Sequence, residues 1–140
     1  MENPMPSIES FNQIGVGKLP GLIGMVITRA DRSEVAAELA IEQKHLAPNG
    51  FLHAGTVVTL ADTCAGYGCL ANLPAGATGF TTIELKSNHL GTALEGTILS
   101  IAKPAHLGKT TQVWDVVVTR KESGKTIALF RCTQLILYAK

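Results

Sequence analysis

Apolar and charged positions alternate most regularly over residues 34–42. Val35, Ala37, Leu39 and Ile41 form one row and Glu34, Glu38 and Glu42 the other, the two-residue period of a strand with one buried face. Alanine and glutamate alone would favour a helix. The period, and the turn expected at Asp31-Arg32-Ser33, decide for a strand. Upstream, the run LIGMVITRA at 22–30 predicts another strand, and residues 1–20, with Pro4, Pro6 and Pro20 and little periodicity, predict an arm or short helix. Pro48 and Asn49-Gly50 mark a loop. A helix is expected over 54–73, stopped by Pro74 and Gly76. Four strands follow at about 78–89, 93–105, 110–121 and 126–138, with hairpin turns at Gly108-Lys109 and Ser123-Gly124.

Two strands, one long helix and four strands predict an α+β domain, a roughly six-stranded antiparallel sheet wrapped round a long central helix. Trp114, Val116 and Val118 lie on one face of their strand and Val113 and Val117 on the other. Such a sheet must be covered on both sides. One helix covers one side, and a partner chain is expected on the other.

The chain has 140 residues, 46% hydrophobic and 16% charged, which suits a single domain over 1–140 with an N-terminal arm at 1–20. Charge this sparse points to surface buried between subunits. The net charge is +1 with no basic stripe, which argues against nucleic acid as a partner. The start of the sequence lacks a basic-then-apolar leader pattern. Residues 51–73 approach the length of a membrane span but contain His53, Asp62, threonines and glycines. The expectation is a soluble, cytoplasmic protein with no membrane partner. Cys64, Cys69 and Cys132 form no C-x-x-C pair and read as buried small hydrophobes. No cluster of His, Cys, Asp or Glu has metal-ligand spacing.

Within residues 49–73 there is one carboxylate, Asp62. Residues three, four and seven apart share a helix face, so Asp62 shares one with Gly55, Val58, Thr59, Ala65, Gly66 and Cys69. Val57, Leu60, Cys64 and Leu70 make the opposite, sheet-facing stripe. An ionised, unpaired carboxylate taken out of water loses several kcal/mol or shifts its pKa upward. Asp62 is therefore either a hydrogen-bonded residue at a subunit contact or a group at a groove reached by water and substrate. The helix start, at His53-Ala54-Gly55, offers backbone N–H groups with little side chain in front of them, a plausible oxyanion hole. Asp62 stands about two turns from Gly55, roughly 10 Å along the axis. The acid cannot serve a carbonyl held at its own helix start. Two helices packed antiparallel across a dimer would let each acid face the other's start, giving two equivalent sites.

The stretch NGFLHAGTVVTLADTCAGYGC resembles the helix-start signature of hotdog-fold acyl-CoA thioesterases of the PaaI-type (phenylacetate-degradation) branch, through Gly50, His53-Ala54-Gly55 and Leu60-Ala61-Asp62-Thr63. The strands from Thr81 onward are similar in order and turn placement, so the likeness spans roughly residues 20–138. It implies a hotdog fold. It implies hydrolysis of an aryl- or medium-chain acyl-CoA to the free acid and coenzyme A, with no cofactor, since coenzyme A is part of the substrate. Asp62 would be the nucleophile or the general base for water. The N–H groups at Ala54 and Gly55 would polarise the thioester carbonyl, and His53 would orient that end. The family's asparagine six residues before the histidine falls on Ala47 here, leaving Asn49 as its stand-in. Thr63 and Gly66 would flank the substrate. Lys86, Asn88, His89, His106, Lys109 and Arg120 would approach the coenzyme A phosphates. The resemblance also implies a homo-oligomer, a dimer as catalytic unit and a tetramer as the assembly. His45 reads as structural.

The rival readings are weaker. A hotdog dehydratase would need an acid fourteen residues after His45, where Thr59 stands. A serine hydrolase would need G-x-S-x-G, which is missing. A non-catalytic acyl-CoA sensor on the same fold has no use for the carboxylate.

Overall fold

The fold was obtained as a computed structural model that describes residues 3–140; the first two residues of the expected arm lie outside the described part. In chain order the elements are α1 (Ile8–Ile14), α2 (Leu19–Ile23), β1 (Val26–Asp31), β2 (Glu34–Ala40), a 3-10 turn (Gln43–His45), α3 (Ala54–Ala71), β3 (Ala77–His89), β4 (Thr97–Leu107), β5 (Thr111–Arg120) and β6 (Thr126–Tyr138). The six strands form one sheet in the order β1-β2-β4-β5-β6-β3, and all neighbours are antiparallel. α3 packs across one face. This is the α+β hotdog architecture, a sheet wrapped round a long central helix.

The strand expected over 22–30 is shorter than its apolar run. Pro20 fits the first turn of α2, and Gly24 ends that helix with φ 80°, a left-handed conformation that glycine adopts without strain. Leu22 and Ile23 are therefore helical, and the strand begins at Val26. The arm folds back onto the domain. Ser7 caps α1 by accepting from the Ser10 N–H, and Phe11 stacks on Tyr67 of α3 with ring centroids 4.6 Å apart. β4 starts at Thr97 rather than near residue 93, after Gly96 with φ 91°.

Strand periodicity holds where it was clearest. Val35, Ala37 and Leu39 are buried on the helix side, as are Trp114, Val116 and Val118. The Trp114 indole N–H donates to Gln112 Oε1 at 2.9 Å, and the Gln112 amide donates to the Asn72 carbonyl at 2.8 Å, tying β5 to the finish of α3. At Gly68 the helix lies directly on this indole: a Cβ there would come within 2.5 Å of two ring carbons. Alanine favours a helix interior over glycine by about 1 kcal/mol, but overpacking costs typically 1–3 kcal/mol. Trp114 is wholly buried and its N–H is committed, so it cannot give way. Gly68→Ala is expected to lower the melting temperature in a thermal unfolding scan, against its helix propensity.

Candidate functional site

His45 is buried, and its ring and backbone carbonyl together join three segments. Nδ1 accepts from the Glu42 N–H at 2.8 Å, and Nε2 lies 2.6 Å from the Ile23 carbonyl. The first contact leaves Nε2 as the protonated nitrogen of a neutral ring. The His45 carbonyl accepts from the His53 N–H at 3.0 Å and from the Thr56 hydroxyl at 2.9 Å. This histidine fixes where α3 begins and is structural, as its isolation in the sequence suggested.

α3 opens with His53 as its N-cap. The exposed ring accepts from the Gly55 N–H through Nδ1 at 2.7 Å. The N–H groups of Thr56 and Val57 go to the His53 carbonyl at 3.0 and 3.4 Å. Of the two donors expected to polarise a carbonyl, Gly55 is thus occupied by His53, and no hydrogen bond of this turn uses the Ala54 N–H. Ala54 has a negative φ, as does every non-glycine residue described, so its methyl introduces no backbone strain. Asn49 does not reach this start. It is exposed, and its Oδ1 accepts from the Phe51 N–H at 3.2 Å in a local turn. Gly50, with φ 89°, completes that turn. In this chain Asn49 serves a turn, and no hydrogen bond links its side chain to the start of α3. Asn49→Ala is accordingly expected to leave kcat/KM within about threefold of the parent in steady-state assays, because the hydrogen bond it removes belongs to an exposed turn and involves neither the helix start nor Asp62.

Asp62 is half-buried, and its Oδ1 is shut off from solvent with no hydrogen-bond partner. Burial pushes the carboxyl above its ordinary value of 3.8; no nearby cation holds it down. The neighbouring hydroxyls offer no relief, because Thr59 donates to the Gly55 carbonyl and Thr63 to the Thr59 carbonyl. A carboxylate in this condition is costly for one chain alone.

The face around Asp62 differs from the expected small-residue stripe in extent. Ala54 and Gly55 are exposed, and Val58, Thr59, Asp62 and Thr63 are partly so. Beyond that point the helix is closed on all sides. Ala65, Gly66 and Cys69 are buried, and Gly66 is covered by Phe80 of β3, whose ring tip would lie 3.1 Å from an added Cβ. Tyr67 is under Phe11. Gly66 therefore packs against the chain's own sheet and does not flank a ligand in this chain. Phe80 and Phe11 went unnoticed in the sequence because neither sits in a motif and both reach α3 through long-range packing. Burial pushes the thiols of Cys64, Cys69 and Cys132 up to about 12, so all three are inert, as expected.

The residues expected along the coenzyme A path separate into two ends of the sheet. His89, at the end of β3, pairs with Ala128, and Ala128 pairs with Val118 close to Arg120. This end also holds the start of α3, through Leu52 N–H to the Ala93 carbonyl at 3.2 Å. His106 and Lys109 lie at the other end, where Lys109 and Asn72 border a cleft of about 260 Å³. With strands of ten or more residues at about 3.3 Å each, the two ends stand roughly 30 Å apart. Lys86 and Asn88 sit on the outer face, paired with Arg131 and Leu129. One chain cannot bring all six to one ligand. Among the described residues, no three His, Cys, Asp or Glu side chains converge as a metal site would require, and no helix is long and apolar enough to cross a membrane.

Comparisons with known proteins agree with this geometry. Residues 49–127 match the Thioesterase superfamily. A 1,4-dihydroxy-2-naphthoyl-CoA hydrolase of Listeria monocytogenes is 32% identical over 111 residues, covering 79% of this chain and 89% of the relative. A variant of the thioesterase PA1618 of Pseudomonas aeruginosa superposes with a TM-score of 0.90 at 25% identity, covering 96% of both chains. The PaaI protein of the Escherichia coli phenylacetic acid degradation operon, at 24% identity, shares the fold, with a TM-score of 0.77 over 86% of this chain and 85% of that one.

Proposed function

From a chain that belongs to the thioesterase superfamily and is a thioester hydrolase, we propose an acyl-CoA thioesterase that releases an aromatic acid and coenzyme A, with Asp62 as the reacting carboxylate. The observation that carries this is the buried Asp62 oxygen with no partner, on the one open stretch of α3. Nothing in a single folded chain calls for a carboxylate there.

The open stretch also supports where the second subunit sits. It runs from Ala54 to Thr63, and its midpoint is the Val58–Thr59 step. The midpoint between Gly55 and Asp62 is the same step. Two α3 helices crossing antiparallel about a two-fold axis there would each cover the other's open half and no more. Asp62 of one would then stand level with the helix start of the other. A complete overlap of the helices would leave about 10 Å between acid and start, and Phe11 and Phe80 block it. The exposed apolar Ile83 and Leu85 on the edge strand β3 extend the surface available to the second copy. The domain over 1–140, with its arm, is read as the subunit of this dimer.

In the proposed reaction the thioester carbonyl oxygen meets the Ala54 N–H at the helix start, and takes the Gly55 N–H if the His53 ring turns away. Asp62 of the opposite subunit either attacks the carbonyl carbon or removes a proton from the water that does. The C–S bond breaks, the coenzyme A thiolate leaves and is protonated, and water supplies the hydroxyl of the acid. In both versions Asp62 must be ionised. No cofactor takes part. Arg120 and His89, at the helix-start end, would meet the nucleotide phosphates. An aromatic acyl group is favoured by the naphthoyl-CoA relative. The three unpaired, buried cysteines suit a reducing cytoplasm.

A panel of benzoyl-, hydroxybenzoyl-, naphthoyl- and octanoyl-CoA, followed with a thiol reagent, tests the reading. The aryl thioesters are expected to have the highest kcat/KM, by about tenfold or more, a difference of about 1.4 kcal/mol in transition-state binding. Equal or better turnover of octanoyl-CoA would remove the aromatic assignment. Tight binding without hydrolysis would replace the enzyme with a sensor.

A further inference from the structure

We infer that Ser87 is a specificity-determining residue, whose hydroxyl meets a ring hydroxyl on the aromatic acyl group. The inference rests on the aromatic-acid reading above and adds the residue that chooses among such acids.

Strand β3 is an edge of the sheet and pairs with β6 alone. Its first half turns Phe80 and Thr82 toward α3, opposite the buried Ile136 and Gln134 of β6. Strict alternation from there would turn Lys86 inward as well. The alternation breaks because the pairing with β6 slips by one residue between Thr82 and Glu84. A bulge of this kind re-aims the side chains beyond it. Leu85, Ser87 and His89 therefore face the helix side, opposite the buried Cys132, Phe130 and Ala128, while Lys86 and Asn88 go to the outer face.

The open half of α3 lies alongside this inner row. Gly66 sits against Phe80, and residues four apart share a helix face, so Asp62 faces β3 one turn nearer the helix start. From Phe80 onward β3 runs toward that same end, where the Leu52 N–H donates to the Ala93 carbonyl. Burial, and after it the Asp62 charge, push the Cys132 thiol up, which places the carboxyl near the Leu85–Cys132 pair. Both walls of the strip between α3 and the inner row reach solvent. Val58, Thr59 and Asp62 are partly exposed, and Leu85 is 44% exposed although it faces the helix. Coenzyme A is charged and stays with solvent, so the acyl body is the part of the substrate that enters the strip.

Asp62 Oδ1 and Ser87 Oγ, one from each wall, are shut off from solvent without a hydrogen-bond partner. The first belongs to the reacting carbonyl. The second has no task in the single chain, where a buried, unsatisfied hydroxyl is a cost. Around it Leu85, Phe130 and Cys132 are apolar. Two residues of strand span about 7 Å, so Ser87 stands roughly one substituted ring from the Leu85–Cys132 pair. An apolar ring with one polar substituent fits that spacing. A serine hydroxyl both donates and accepts and turns between staggered positions, which suits a phenolic hydroxyl and leaves an unsubstituted ring without a bond.

The test compares benzoyl-CoA with meta- and para-hydroxybenzoyl-CoA in the parent and in Ser87→Ala, followed with a thiol reagent. The parent is expected to turn over one hydroxylated ester with a kcat/KM about tenfold above that for benzoyl-CoA, the scale of one hydrogen bond. In Ser87→Ala that ratio is expected to fall to about one, chiefly through a higher KM for the hydroxylated ester. The variant's melting temperature is expected at or above the parent's, because an unpartnered hydroxyl has left the interior. A parent without the preference would overturn the inference. So would a variant that keeps it, including one that loses activity equally on all three esters. Better turnover of octanoyl-CoA than of any aryl ester would instead end the aromatic reading, and the hydroxyl ratio would still decide on Ser87. Should the protein bind these esters without hydrolysing them, the same ratio is read from dissociation constants.

Discussion

Asp62→Asn is expected to lower kcat by about a thousandfold or more while raising the melting temperature at neutral pH. The kinetic half follows from the chemistry: an amide neither attacks a thioester nor accepts a proton from water, and a positioned general base alone contributes about 10²–10⁴-fold. The stability half follows from linkage. Burial raises the Asp62 pKa above its ordinary 3.8. The folded state therefore binds that proton more tightly than the unfolded state does. The contribution is fully present below the unfolded value and is lost as pH rises through the folded one, so at neutral pH the ionised group destabilises the fold. Asparagine removes that liability, and the gap between variant and parent should close as pH falls toward 3.8. Activity should run the other way. The parent's kcat/KM should fall on the acid side at a pH above the ordinary carboxylate range, because turnover needs the ionised form. Melting curves and pH–rate profiles on the same preparations check both. An Asp62→Asn variant that hydrolyses at the parent's rate would end the assignment, and one that melts lower would mean Asp62 has a partner in the assembled protein.

Mixing two inactive variants should restore about a quarter of the parent's activity. Asp62→Asn supplies a chain with an intact helix start and no acid. Ala54→Pro supplies the converse. Proline is tolerated at the first helical position, and His53, at φ −67° and ψ 133°, already has the extended backbone that precedes proline. The substitution should leave the fold in place while removing the N–H that no other group uses. If each site joins one chain's acid to the other chain's helix start, a mixed dimer holds one complete site and one with both parts missing. Random pairing makes half the dimers mixed, hence the quarter. A site contained within one chain predicts no recovery at any ratio. The experiment requires only that subunits exchange, which a tagged pull-down establishes beforehand. An Ala54→Pro variant as active as its parent would transfer the carbonyl to the Gly55 N–H.

These expectations rest unequally on sequence and on structure. The strand over Glu34–Ala40, the helix from Ala54 and the two hairpins were legible because each is written in a local period or in a turn residue at the right offset. The acid on the small-residue face was legible for the same reason, since helical spacing is a matter of counting. The strand proposed over 22–30 was overlong because apolar content alone does not separate a short helix from a strand; Pro20 and Gly24, the residues that decide it, lie beside the run or within it. The extent of the open face was not legible. Whether Gly66 meets a ligand or its own sheet depends on Phe80, and β3 lies beside β6, some fifty residues later in the chain. Nor could spacing show that His53 occupies the Gly55 N–H, which depends on the rotamer of one ring.

The sequence by itself determined the element types, their order, the one acid on α3 and the family to which that pattern belongs. Periodicity and spacing are local properties, and the chain carries them whatever it packs against. Only the tertiary structure decided that half of α3 is open and half closed, and that Asp62 is left without a partner. Each of these depends on which distant strand or arm returns to a given place. That return is set by burying the most apolar surface for the whole chain at once, and no short window of residues contains that sum.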